Sequence, residues 1–402
     1  MTSQTALTRH TVTRESDQYK VPCVLMRGGT SKGPFFLDQD LPPPGTERDL
    51  LLLRVMGALE PRRIDGIGGI DSLTNKVAII SRSSREGVDV DYLFGQICVH
   101  KNTIDYSVNC GNMLSAVGPF AVDSGLVHPG KDITRVRIFN VNTGKRIDEQ
   151  VVTLNGKASY QGNARIDGVH GCAAPVLVEF LDVEGSKTGA LLPTGRAIDM
   201  VDGVRISCVD AAVPMAIVLA SDLGISGHES AEVLNANAVL CARVEELRCQ
   251  AGALMGLGDV SKLEMPKLTL VAAPRHGGVI TGRYFMPYTC HTSFAVTGAV
   301  CLGASCLIPG TVASDLLREV GGPPSGGDLS IEHPAGLIHV KVKMRSSSAD
   351  QLHVASAALV RTARRLFAGE VYLPVEALSD LSSTETSLPT SSKDFPCAAE
   401  TC

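Results

Sequence analysis

Asp105-Tyr-Ser-Val-Asn109-Cys110-Gly111-Asn112-Met113, running on through Leu114, Ala116, Val117 and Phe120 to Ala121, is the stretch whose reading decides the fold. An extended, partly alternating segment precedes it, with Val88, Val90, Tyr92 and Phe94 and, further on, Val99 and Ile104. A small-residue apolar stretch follows it. The apolar period thus changes at Asn109 from about two to about 3.6, which predicts a strand followed by a helix. Asn is a favoured N-cap, so Asn109 is the expected start of that helix. Cys110 then falls on the first turn, beside unpaired backbone N–H groups and the positive end of the dipole, a place that favours thiolate and attracts a carboxylate. The competing reading makes Cys110 a small buried hydrophobe, as most free cysteines are. Local context leaves both open.

Working outward, 402 residues suffice for two cores of ordinary size. Hydrophobic content is 44%, and 40 Gly with 21 Pro imply many turns. Aromatic content is 4% with no Trp, which argues against base-stacking platforms. A net charge of −5 gives no basic footprint for nucleic acid, so an anionic substrate needs a local positive site. The twelve Cys are dispersed without a CxxC pair or a His-rich partner pattern, so no metal site is expected. No secretory apolar segment precedes them, which points to free thiols in a reducing compartment. The run Phe294 to Ile308 is too short and glycine-rich for a membrane span. Arg9 and Arg14 are accompanied by Glu15 and Asp17, a poor transit peptide, and the expected location is the cytoplasm.

Residues 1–20 are polar and expected to be mobile. Val21 to Leu25 reads as a strand entering the loop Met26-Arg-Gly-Gly-Thr30-Ser31-Lys32-Gly33, with a second strand from Pro34 to Leu37. The loop lacks Walker spacing and leads to a strand, so it is not a nucleotide site. Thr30, Ser31 and Lys32 can hold a carboxylate there, or the loop is an ordinary hairpin connection. A helix is expected over Glu47 to Leu59. Asp65-Gly-Ile-Gly-Gly69-Ile-Asp-Ser72 then leads through Thr74 and Lys76 into the strand Val77 to Ile80. Its glycines are in the wrong order for a dinucleotide fingerprint. Lys76, at the loop–strand junction, is either aimed inward or a solvated surface charge. From Ile133 to about Ile217, short apolar runs between turn signals predict antiparallel sheet wrapped upon itself. Ser230 to Cys249 is the clearest amphipathic helix.

A second half repeats this plan. Leu268 to Ala273 and Gly278 to Phe285 read as strands, Met286 to Ser293 as a polar turn containing Cys290 and His291, and Phe294 to Ala299 as the opening of a small-residue helix stopped by Pro309-Gly310. Asn109-Cys110-Gly111 is answered by Val296-Thr297-Gly298, a duplication carried by pattern and not by identity. Two such halves would present two helix N-termini to one cleft. The Gly321 to Gly327 run reads as a loop, Ile331 to Gly336 as a turn, and 378–402 as a disordered tail.

Several blocks together resemble the PrpF-type isomerases: Met26-Arg-Gly-Gly-Thr-Ser-Lys-Gly33, Asp65-Gly-Ile-Gly-Gly69 with Ser72-Leu-Thr-Asn-Lys76, Asn109-Cys-Gly-Asn112, Met255-Gly-Leu-Gly-Asp259, His291 with Thr297-Gly298-Ala299, and Ile308-Pro-Gly-Thr-Val312. Ala272 to Gly278 and Arg283 to Pro287 look most like the 4-oxalomesaconate tautomerases; relatives isomerise aconitate, methylaconitate or methylitaconate. The resemblance implies an α+β, diaminopimelate epimerase-like fold: two pseudo-symmetric domains, each a curved antiparallel sheet or barrel around a central helix. The implied boundaries are 21–200, completed by a strand from the chain end, and 201–377.

It also implies a cofactor-independent isomerase that shifts a proton on an unsaturated di- or tricarboxylate, with Lys76 and Cys110 as acid and base in either order. The epimerases use a second Cys, but the matching place here is Ala295, against a two-thiol racemase. First-turn N–H groups of Gly111 and Asn112, and of Gly298 and Ala299, are expected to bind two carboxylates. Thr30, Ser31, Lys32, Ser72, Thr74, Asn109, His291 and Thr297 are the further candidates, with a structural histidine as the alternative for His291. Expected partners are the carboxylate alone, with no nucleic acid and no membrane, and a homodimer as the assembly to consider. Two rivals are a non-catalytic carboxylate binder on the same scaffold and a cysteine hydrolase pairing Cys110 with His291.

Overall fold

A computed structural model describes residues 12–375, apart from 61, 99–101, 182, 323–324 and 349–350. The expected tail at 378–402 and the first eleven residues lie outside it. The first half runs β1 (Thr13–Glu15), β2 (Gln18–Gly28), β3 (Ser31–Leu37), α1 (Thr46–Val55), β4 (Lys76–Arg82), β5 (Val90–Cys98), β6 (Thr103–Asp105), α2 (Gly111–Leu114), α3 (Val117–Asp123), β7 (Ile133–Asn140), β8 (Lys145–Leu154), β9 (Lys157–Ala158) and β10 (Pro175–Phe180). The second runs β11 (Asp199–Val201), β12 (Val204–Asp210), β13 (Pro214–Leu219), α4 (Ala231–Ala236), α5 (Ala238–Leu254), β14 (Lys267–Ala272), β15 (Ile280–Met286), β16 (Thr289–Cys290), α6 (Val296–Leu307), α7 (Val312–Glu319), β17 (Asp328–His333), β18 (Gly336–Ser348) and β19 (Gln351–Pro374).

The two halves follow one pairing scheme. β2–β3, β4–β5, β5–β6 and β7–β8 are antiparallel, while β3–β4 and β5–β7 are parallel. β12–β13, β14–β15, β15–β16 and β17–β18 are antiparallel, while β13–β14 and β15–β17 are parallel. The sheets are therefore not purely antiparallel. Each parallel pair spans a helical crossover, which a hairpin could not provide. The long β19 pairs with β18, then with β10 (Ala357↔Phe180 to Thr362↔Pro175), then with β2 (Ala363↔Gly28 to Pro374↔Gln18).

Burial follows the sequence pattern. β7 alternates exposed and buried residues, as expected of a strand with one wet face. In β4 the run Lys76 to Ile80 is buried throughout, because α1 covers one face and α3 lies on the other. α6 is buried from Val296 to Cys306, and its small residues permit that: a Cβ on Gly298 would lie 2.4 Å from the Tyr284 ring. The largest apolar cluster joins Phe35, Met113 and Phe120 of the first half to Tyr284, Val296 and Val340 of the second. Outer clusters seat α1 on Phe36, Val77 and Ile79, and α5 on Cys208, Val218 and Leu270.

Four expectations need correction. The stretch after Cys110 is two short helices, since Pro119 has no N–H for the Ser115 carbonyl and is tolerated only within the first turn of α3. The helix from Ser230 is also divided: Asn237 ends α4, and its Oδ1 accepts the Leu240 N–H to cap α5. Residues 13–20 are not loose, because Thr13–Glu15 pairs with Gln18–Lys20. The turn near Pro334 is shorter than expected, with Ile331–His333 inside β17. No single helix among the described residues is long and apolar enough to cross a membrane.

Candidate active site

The β2–β3 hairpin brings together the two residues on which the sequence reading turned. Gly28 and Ser31 face each other across its tip, and Gly29 takes a left-handed φ of 52°. A Cβ on Gly29 would lie 2.1 Å from Asn112 Oδ1, and one on Gly28 2.4 Å from the Asn112 carbonyl oxygen. On the other side, a Cβ on Gly33 would lie 2.0 Å from the Lys76 carbonyl oxygen. The glycines of this loop therefore let one hairpin press against both the first turn of α2 and the start of β4.

Cys110, and not Asn109, is the N-cap of α2. Its Sγ accepts the Met113 N–H at 3.5 Å and its carbonyl takes the Leu114 N–H at 3.0 Å. Asn109 stands one residue too early; its Oδ1 instead accepts from Asn140 Nδ2 at 2.7 Å. The half-buried Cys110 Sγ is 4.0 Å from Ser31 Oγ, and Tyr92 donates to the Cys110 carbonyl at 3.3 Å. Among the core cysteines, burial pushes the thiols of Cys23, Cys208, Cys290 and Cys306 up to about 12.

Lys76 opens β4 and is 7% exposed, directed inward. Its Nζ donates to Gln96 Oε1 at 2.6 Å and lies 5.4 Å from the centre of the Phe94 ring. The Gln96 amide is oriented by donating to the Asn75 carbonyl at 2.8 Å and the Ser72 carbonyl at 3.3 Å. The ammonium thus has a neutral acceptor and no carboxylate partner among the described residues. A buried cation so placed attracts an anion.

The second half adjoins these groups. A Cβ on Gly111 would lie 2.7 Å from Val296 Cβ and 3.5 Å from the Thr297 nitrogen, so the first turns of α2 and α6 meet. Ala295, the N-cap of α6, supplies no side-chain cap, and its carbonyl takes the Ala299 N–H at 2.8 Å. Ala299 therefore has no N–H to offer a ligand, whereas Thr297 and Gly298 lie in the uncapped first turn. His291 is buried, and its Nδ1 accepts the Ser293 N–H at 2.8 Å, which places its proton on Nε2. Burial, then the charges of Lys76, His333 and Lys267, push it down to about 3, so the ring is neutral. A neutral imidazole with its proton on Nε2 and Nδ1 already engaged has no lone pair free to deprotonate Cys110.

Other expected ligands are not brought in. Thr74 Oγ1 donates to Asp71 Oδ1 at 2.8 Å within its own turn, Ser72 is exposed, and strand alternation puts Lys32 on the face opposite Ser31. Sequence reasoning missed Gln96, Lys267 and Arg361. Lys267 opens β14 as Lys76 opens β4, a signal the internal repeat contained. No group of three or more His, Cys, Asp or Glu among the described residues is arranged to hold a metal ion.

With this geometry in place, comparison with known proteins agrees over most of the chain. The family model for "PrpF protein" matches residues 18–374. The chain is 49% identical over 357 residues to a 4-oxalomesaconate tautomerase of Pseudomonas putida, covering 88% of this chain and 96% of that one. It is 46% identical over 362 residues to a (4E)-oxalomesaconate Delta-isomerase of Novosphingobium sp., covering 90% and 99%. The crystal structure of a methylitaconate-delta-isomerase superposes with a TM-score of 0.76 at 36% identity, covering 90% of this chain and 98% of that one. The doubled sheet-and-helix plan is the diaminopimelate epimerase-like fold, and the chain belongs to the PrpF family and is an isomerase.

Proposed function

We propose that this isomerase moves a proton within an unsaturated di- or tricarboxylate of the 4-oxalomesaconate or aconitate type, with Lys76 and Cys110 as the acid–base pair. The observation that carries this reading is the inward-facing ammonium of Lys76, held by a neutral amide and without a carboxylate partner among the described residues. The half-buried thiol at the start of α2, where the first turn of α6 adjoins, supplies the second group. One of the pair removes the acidic C–H next to the carbonyl or the C=C bond, and the electron pair spreads into a dienolate. The other returns a proton at the far carbon or at the enol oxygen, so that a double bond moves and the composition is unchanged. First-turn N–H groups and the buried cations oppose the charge that develops between these steps.

Named relatives support the substrate class: one is called a tautomerase and another a Delta-isomerase of the same oxo acid. A hydrolase pairing Cys110 with His291 is disfavoured by the neutral, Nε2-protonated ring. The free cysteines of the described chain suit a cytoplasmic enzyme.

The test is proton NMR in D₂O with 4-oxalomesaconate, cis-aconitate and trans-aconitate. Deuterium uptake with isomer formation from one of them, lost in both Lys76→Ala and Cys110→Ser, is the expected result and selects the substrate. Tight binding of these acids without exchange would overturn the assignment in favour of a carboxylate binder.

A further inference from the structure

Arg361 lies on β19, opposite Val176 of β10, where the strand leaves the second half and enters the first. It is 3% exposed, and its Nη2 donates to Asn112 Oδ1 at 2.7 Å. That same oxygen accepts the Thr30 N–H at 3.3 Å. A buried guanidinium normally meets a carboxylate, because an unpaired charge out of water is costly. Arg361 meets none among the described residues, and its Nε has no hydrogen-bond partner. The Thr30 hydroxyl is likewise buried without a partner. The two are neighbours, since a Cβ on the intervening Gly29 would lie 3.1 Å from Arg361 Nη2.

The surroundings add to the imbalance. Arg27 brings a second cation, bonded among the described residues to neutral oxygens: its Nη1 donates to the Gly29 and Thr362 carbonyls at 2.9 Å each and to Thr362 Oγ1 at 3.0 Å. Burial, then Arg27, pull the Arg361 guanidinium down to about 10, and the nearby Cys110 works in the opposite direction. Gly168 closes the outer side, where a Cβ would lie 3.1 Å from Thr30 Cγ2 and 3.4 Å from Ser293 Oγ. Unsatisfied donors of Arg361 and Thr30 thus adjoin the reacting thiol on one wall, and Arg27, paired with Lys32 on the other face of the hairpin, adds positive charge from behind it.

We propose that Arg361 and the Thr30 hydroxyl form a carboxylate subsite, fixed by Asn112, that holds one carboxylate of the substrate on the Cys110 side of the cleft. This rests on the carboxylate-isomerase reading above. A planar guanidinium with unengaged N–H groups matches a carboxylate in two-point contact, and the anion neutralises charge that the protein leaves open. Asn112 fixes the guanidinium plane without neutralising it, which a carboxylate at that position would do.

The experiment is calorimetric binding of tricarballylate, a saturated tricarboxylate that cannot react, and of glutarate, which lacks the middle carboxylate, the one assigned here to Arg361. Each is measured with the wild type, Arg361→Gln, Arg361→Lys and Thr30→Val, and folding is checked by melting. Arg361→Gln should weaken tricarballylate by about 30-fold, the worth of a hydrogen-bonded charge pair, while glutarate changes by less than about threefold. Thr30→Val and Arg361→Lys should give smaller losses, again confined to tricarballylate, and they decide the matter if Arg361→Gln does not fold. Equal weakening of both ligands in the folded variants marks a merely structural arginine and overturns the subsite, as does unchanged tricarballylate binding. A wild type that binds neither acid overturns the carboxylate reading, and the subsite with it.

Discussion

The two halves of the molecule share a pairing scheme and differ in the chemistry at corresponding places. The first half opens β4 with Lys76 and caps its inner helix with Cys110; the second opens β14 with Lys267 and caps its inner helix with Ala295. Lys76 faces a neutral glutamine, whereas Lys267 pairs with Glu264 at 3.1 Å. The doubled fold therefore supplies two helix starts and two lysines but one thiol. On the mechanism proposed above, the doubled backbone offers an anion two helix starts, while the acid–base pair lies on one side.

Breaking the first half should have the largest effect. Lys76→Met is expected to lower kcat/KM for isomerisation by about 10³-fold or more, as for loss of a general acid–base. Cys110→Ala is expected to lower it by about 10²-fold, within the same range for acid–base groups. Steady-state kinetics on the substrate chosen by NMR checks both, and a loss below tenfold in either would remove that residue from the chemistry.

How the halves are anchored offers a comparison in stability. In the first, Asp89 at the end of the β4–β5 loop accepts the Arg137 N–H at 2.8 Å and pairs with its exposed guanidinium at 2.7 Å. In the second, the buried Glu332 of β17 accepts backbone N–H groups of Arg275, His276 and Gly278 and the Thr281 hydroxyl. Burial works against the Glu332 carboxylate, but these four donors prevail and hold it down at about 2. Glu332→Gln should cost about 2 kcal/mol by leaving donors unmatched, and Asp89→Asn less than about 1 kcal/mol, being largely a surface pair. A carboxylate with a depressed folded pKa stabilises above its unfolded value and loses that contribution as pH falls through the folded value. The Glu332 share is therefore present above about 4.5 and is lost toward about 2; urea melts from pH 6 to pH 2 should show a shallower acid decline in Glu332→Gln.

Much of this plan was legible in the chain. The change of period at Asn109 and the glycine-rich loops located the strands, the inner helices and the hairpin that joins Lys76 to Cys110. The cap was misread by one residue because the helix start is set by which carbonyl takes the first N–H, and Asn140 draws the Asn109 side chain away. Thr74 looked like a ligand but completes a turn with Asp71, which only the folded loop reveals. Arg361 was beyond local reading, since it reaches Asn112 across 249 positions through the β19 crossing.

The second half's lysine is the next test of the comparison. Lys267 adds positive charge near the cleft, where it helps depress His291, but its partner Glu264 offsets part of that field. Lys267→Met should raise KM about tenfold and leave kcat within about threefold, as for loss of an interaction felt equally by substrate and transition state. A fall in kcat comparable to that of Lys76→Met would show instead that both lysines move protons.

Ala295→Cys should have the smallest effect, and it bears most directly on what the asymmetry means. A thiol at this N-cap can accept the Gly298 N–H as Cys110 accepts that of Met113, since each is the third residue of its helix. It would restore the two-thiol arrangement on a scaffold that already brings the helix starts together. If Lys76 and Cys110 carry both proton transfers, the added thiol is idle: kcat should stay within about threefold, with at most ~1 kcal/mol gained from the new cap. A tenfold rise in kcat, or deuterium entering a carbon that the wild type leaves untouched, would show that the second half lacks a group the reaction can use. The comparison would then turn around, with Ala295 as the residue that limits the enzyme to one face of its substrate.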